Sequence, residues 1–206
     1  ISVDSNVDDT GSGAVGIAAG GAHACAITGS GEVWCWGAGA SGQLGPGSKA
    51  LSAIPAKVAG VAGAVALGLG EAHSCALLGD GSVACWGADA SGELGHVPGQ
   101  RPAGGLAKVA GVPPAKSISA AMHHTCVVSQ GGEVWCWGFN GDGQLGNVAG
   151  GTRAPPGRVI GISGAVAVTA GAWHGCALRA DGTLMCWGDN GYGQLGNAQS
   201  ADAATP

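Results

Sequence analysis

Residues 20–37 read GGAHACAITGSGEVWCWG, and the stretch returns as GEAHSCALLGDGSVACWG at 70–87, AMHHTCVVSQGGEVWCWG at 121–138 and GAWHGCALRADGTLMCWG at 171–188. The leading cysteines, Cys25, Cys75, Cys126 and Cys176, follow one another by 50, 51 and 50 residues, so the chain is four tandem repeats. Within each repeat two short apolar runs flank the loops GSG, GDG, QGG or ADG, the pattern of an antiparallel hairpin. The third loop residue is always glycine (Gly31, Gly81, Gly132, Gly182), as a three-residue loop ending in a left-handed residue requires. Centring the pairing on that loop sets Cys25 against Cys35, Cys75 against Cys85, Cys126 against Cys136 and Cys176 against Cys186. Opposed residues of an antiparallel pair lie roughly 4.5–5.5 Å apart at Cα, within reach of a disulfide.

Four structural disulfides are therefore expected, and with them an oxidising setting: extracellular, periplasmic or cell-surface. A zinc reading of the one histidine and two cysteines per repeat is weaker, because knuckles usually bring cysteines about two to four apart and no fourth ligand recurs. A catalytic thiol is weaker still, since no cysteine differs in setting from its three counterparts. Composition agrees with short packed strands: 46% apolar residues, 43 glycines and 10% charged residues. A formal charge of −5 with eight scattered Lys and Arg gives no stripe for nucleic acid, and no apolar run suits a membrane-spanning helix.

The same register lays Trp36, Trp86, Trp137 and Trp187 over the small residues Ala24, Ser74, Thr125 and Gly175, while the other face carries the disulfides. A sheet with bulk on both faces needs cover on both, which radially stacked copies supply. Two more strands are expected per period, PAKVAGV, LAKVAGV or PGRVIGI and then AVALGLG, KSISAAM or AVAVTAG. The fold class predicted is all-β, a series of four-stranded antiparallel propeller blades. The repeats are divided as 17–54, 55–105, 106–155 and 156–206 after a polar segment and incomplete first blade at 1–16.

The histidine, the hairpin glycine, WG and GQLG (GELG at 92–95), as in GGAHACA at 20–26, GEVWCWG at 31–37 and GQLG at 42–45, recur in order in all four periods. In this the chain resembles the regulator of chromosome condensation repeat family. The resemblance implies a β-propeller, usually of seven blades, so four repeats read as an excerpt of a larger propeller, a small closed ring or an open arc. The family's nuclear member acts on a small GTPase and on chromatin without this disulfide set, and that role is not carried over. Secreted bacterial relatives, which act by binding, are nearer in style.

The histidine column, His23, His73, His124 and His174, reads as structural, each ring expected to bond the backbone of a neighbouring blade; a central ring of catalytic histidines is the less favoured alternative, because catalysis normally breaks symmetry. The loops after WG vary while their flanks hold, which suits recognition. Phe139 and Tyr192 lie in them and Trp173 lies near, and these aromatics are the expected binding residues, the alternative being that they pack against adjacent blades. Asp4, Asn6 and Asp8 alternate like the first ligands of a calcium loop, but the later glycine and glutamate are missing. No cofactor is expected. The function expected is a binding scaffold for a protein or glycan rather than an enzyme, with end-to-end or edge-to-edge assembly of copies as the alternative.

Overall fold

The computed structural model describes residues 13–48, 50–96, 105–147 and 151–206. The calcium-like residues Asp4, Asn6 and Asp8 lie outside them. Among the described residues there is no helix, and fifteen strands form four antiparallel sheets. The first holds β1 (Ala14–Ala19), β2 (His23–Thr28), β3 (Val33–Ala38) and β4 (Leu51–Lys57) in that order. The second holds β5 (Ala64–Leu69), β6 (His73–Leu78), β7 (Val83–Gly87) and β8 (Leu106–Lys108), and the third β9 (Ala115–Ala121), β10 (His124–Ser129), β11 (Val134–Phe139) and β12 (Arg153–Arg158). The fourth has β13 (Ala165–Ala170), β14 (His174–Arg179) and β15 (Leu184–Gly188). Ala203 pairs with Gly188 on its outer edge, as Ser52 pairs with Gly37 and Ala154 with Gly138 in the first and third sheets.

The hairpin register is the one read from the loops. Each cysteine faces its partner and all four disulfides form, with Cα separations of 4.1, 4.1, 4.2 and 4.1 Å. The turn glycines hold φ between 78° and 85°. One expectation changes. The strand beginning PAK or PGR belongs to the sheet of the preceding hairpin, so the repeat boundaries at 54/55 and 155/156 fall inside β4 and β12, and 105/106 falls at the start of β8. Edge strands tolerate Pro55, Pro155 and Pro156, whose missing N–H groups a central ladder would need. The first sheet is complete, since β1 begins at Ala14.

The first strands of successive sheets, β1, β5, β9 and β13, touch one another, so the sheets radiate from a common inner line as propeller blades. At each junction the disulfide face of one blade meets the tryptophan face of the next. Cys25, Cys35 and Val33 pack against Trp86; Cys75, Cys85 and Val83 against Trp137; Cys126, Cys136 and Val134 against Trp187. These three indoles are fully buried. Burial of each supplies on the order of 4–6 kcal/mol of transfer free energy. Their N–H groups are also satisfied: Trp86 donates to the Gln43 carbonyl at 2.9 Å, Trp137 to that of Glu93 at 2.9 Å, and Trp187 to that of Gln144 at 2.8 Å. The GQLG or GELG loop of one blade is thus an acceptor for the next blade's tryptophan.

Among the described residues the two end faces have no such neighbour. On the tryptophan face of the first blade Trp36 is only partly buried and Ile17 is 75% exposed; on the disulfide face of the fourth, Leu184 is 71% exposed. The blades form an incomplete propeller.

Candidate functional site

The histidine column runs through the junctions. His23 Nε2 lies 2.8 Å from the Ser74 hydroxyl, and His73 Nε2 lies 2.9 Å from the Thr125 hydroxyl. For these two rings the partner is a side chain of the next blade rather than its backbone. Ser74 donates its proton to the Gln43 carbonyl at 3.0 Å, so its oxygen accepts and His23 donates from Nε2. The equivalent residue in the fourth blade is Gly175. His124 accordingly finds no hydroxyl, and the group of the next blade that acts on its ring is the backbone of His174. Burial, with neighbouring histidines adding to it, pulls His73 down to about 3 and His124 to about 4, and burial lowers His23. These rings are neutral at ordinary pH and packed away from solvent, a poor basis for acid–base chemistry.

A different set of residues breaks the symmetry. The glycine of each WG pair (Gly37, Gly87, Gly138, Gly188) has φ between 102° and 107°, and a Cβ there would come within 2.4 to 2.6 Å of a carbonyl in the turn before the repeat histidine. That bare backbone lets the next residue donate to the same carbonyl: Ala38 to Ala22, Ala88 to Ala72, Phe139 to His123 at 2.8 Å each, and Asp189 to Trp173 at 3.0 Å. The bond repeats four times, while its side chains do not. Both positions are alanine in the first two blades, and they become His123 with Phe139 in the third and Trp173 with Asp189 in the fourth.

The result is an aromatic cluster across two blades. Phe139 and Trp173 meet edge to face with centroids 5.6 Å apart, and His123 lies 6.5 Å from Phe139 and 6.0 Å from Trp173. Two carboxylates of the second blade hold His123: Glu71 reaches Nε2 and Glu93 reaches Nδ1, both at 3.3 Å. Glu93 is the one acid where the other repeats have glutamine; its side chain is buried and also accepts the Ser91 amide at 2.7 Å. Glu71 is half exposed. Nearby, burial and then the charges of Asp189 and Asp202 hold the Asp142 carboxyl above the usual range. Tyr192 stands apart, 98% exposed.

So the structure brings Phe139 and Trp173 together and leaves Tyr192 outside their cluster. His123, Glu71 and Glu93 escaped the sequence reading. Their signal was present in the repeats, in the substitution of alanine by His123 and of glutamine by Glu93, but only the fold shows that the two approach. Among the described residues no group of three His, Cys, Asp or Glu side chains is placed to hold a metal ion.

Models of the regulator of chromosome condensation (RCC1) repeat match residues 14–43, 64–93, 116–144 and 165–194 in one form and 30–77 and 131–178 in another. The chain belongs to the RCC1 repeat family. Among solved structures, human WBSCR16 is similar over 95% of this chain and 52% of its own, at 25% identity and a TM-score of 0.82. Yeast RCC1 (Prp20), solved bound to Kap60, covers 95% of this chain and 48% of its own at 24% identity and TM-score 0.82. Saccharomyces cerevisiae Prp20p, described with its binding properties to Gsp1p and histones, gives 24% identity and TM-score 0.81 over 95% and 50%. The RCC1-repeat chain thus spans about half the length of these proteins, and its likeness to the yeast protein is one of fold. Its four intrachain disulfides point to a non-cytoplasmic environment.

Proposed function

We propose that this RCC1-repeat chain is a protein-binding scaffold of the extracellular space, the periplasm or a cell surface, and that it holds its partner on the surface formed by His123, Phe139 and Trp173. The observation that carries this reading is the replacement of paired alanines by large functional side chains at equivalent backbone positions of the third and fourth blades only. A rigid, disulfide-stapled frame presenting partly buried aromatics suits a binding hot spot. Members of this fold engage proteins, as the yeast structure bound to Kap60 illustrates. No group on this surface is a nucleophile with an adjacent base, and the reading is one of binding rather than catalysis.

The test compares the wild-type chain with the Phe139→Ala, Trp173→Ala double variant against a captured partner, with unfolding followed in parallel. Loss of both rings is expected to weaken the partner at least about tenfold while the blades still unfold in one transition well above the assay temperature. Equal retention by the two chains would move the binding surface elsewhere.

A second reading has its own support in the end faces. Ile17 and the partly buried Trp36 at one end, and the exposed Leu178 and Leu184 at the other, belong to faces whose counterparts meet at the three junctions inside the chain. Head-to-tail assembly of copies would cover both. Sedimentation equilibrium separates the readings: a monomer at tens of micromolar rejects assembly, whereas a concentration-dependent mass abolished by Ile17→Asp supports it.

A further inference from the structure

Resting on the protein-binding reading, we infer that the His123–Phe139–Trp173 surface receives a guanidinium group, the side chain of an arginine on the partner. The edge-to-face arrangement of Phe139 and Trp173 leaves the faces of the edge-on ring uncovered by the other, and both rings are only partly buried. Such π faces attract cations. The charged groups beside them are predominantly acidic. Glu71 is half exposed next to His123, and the Asp142, Asp189 and Asp202 carboxylates are close enough for the last two to raise the first. Among the described cations, Arg153 lies opposite Phe139 in the sheet, but its guanidinium donates to the Ala90 carbonyl at 3.1 Å.

The division of labour between the two glutamates fits a docked cation. Glu93 is buried and committed to the Ser91 amide and His123 Nδ1, so it orients the imidazole. Glu71 has a solvent-facing carboxylate that can add a partner's donor to its contact with His123 Nε2. A planar guanidinium can stack on an aromatic face and still direct paired N–H groups at a carboxylate, which an ammonium cannot do. A metal ion is less suited, for want of three converging ligands among the described residues.

The experiment titrates the whole chain, at physiological ionic strength, with the capped peptide Ac-GRGRGR-NH2 and with its lysine and glutamine counterparts. The readout is the set of tryptophan indole N–H signals in heteronuclear NMR, with Trp173 assigned through Trp173→Phe. The arginine peptide is expected to shift the Trp173 signal and to bind at least about threefold more tightly than the lysine peptide. Glu71→Gln should weaken it about threefold to tenfold and Phe139→Ala about tenfold, with Tyr192→Ala unchanged. The remaining indole signals report that each variant is folded. No binding, equal binding of the arginine and lysine peptides, or binding indifferent to Glu71→Gln and Phe139→Ala overturns the inference. A captured partner lost on removing both rings, yet indifferent to Glu71→Gln and to competition by the arginine peptide, sinks the arginine while leaving the protein-binding surface in place.

Discussion

Gly175 shows how one missing side chain propagates. A Cβ on it would lie 2.7 Å from Trp187 Cζ2, so the indole rests on bare backbone where Trp86 faces Ser74 and Trp137 faces Thr125. The closer indole comes with the loss of the hydroxyl that His124 would otherwise reach. Gly175→Ser is therefore expected to destabilise by about 1–3 kcal/mol through overpacking, although it offers His124 a hydroxyl; chemical denaturation checks the sign. The buried rings also set the acid behaviour. Unfolded histidines take up protons near pH 6.5, whereas His124 and His73 in the fold do so only near 4 and 3, and His23 is likewise lowered. Stability is accordingly full above pH 6.5 and falls as the pH drops toward those values, by about 1.4 kcal/mol per pH unit for each of His73 and His124 within its window. Denaturation midpoints at pH 7, 5.5 and 4.5 should show the decline. His124→Leu should flatten it, and should cost less at pH 7 than His73→Leu, which removes the buried bond to the Thr125 hydroxyl.

At the scale of the hairpin the sequence was explicit, since a loop glycine and two cysteines ten residues apart leave one register that pairs every cysteine. Blade stacking followed from the bulk on both sheet faces. The placing of the outer strand did not follow: a proline-bearing run is compatible with an edge on either side, and only packing decides that Pro55 closes the sheet of the hairpin before it. The His123 cluster stayed hidden for a related reason, because Glu71, Glu93 and Trp173 come to it from two other repeats. The hairpins carry a further prediction. Each disulfide closes a short loop and contributes about 2–3 kcal/mol. Three of the four are fully buried under the next blade, while Cys176 and Cys186 lie on the uncovered face. Mild reductant followed by timed alkylation should label Cys176 and Cys186 first. Cys75→Ala with Cys85→Ala should cost more stability than the same change at Cys176 and Cys186, since it opens a void against a packed neighbour.

For the whole molecule, the junctions are directional, with a disulfide face always offered to a tryptophan face further along the chain. The acceptors for Trp86, Trp137 and Trp187 lie 43, 44 and 43 residues upstream of them. No junction waits for residues beyond the blade it adds. A chain leaving a ribosome or threading through a secretion pore can therefore fold by accretion, each hairpin settling on the one that emerged before it and oxidising its own two cysteines on arrival. The order of synthesis is the order of assembly, and the risk of joining the wrong pair of cysteines stays confined to the few residues newly exposed at each step.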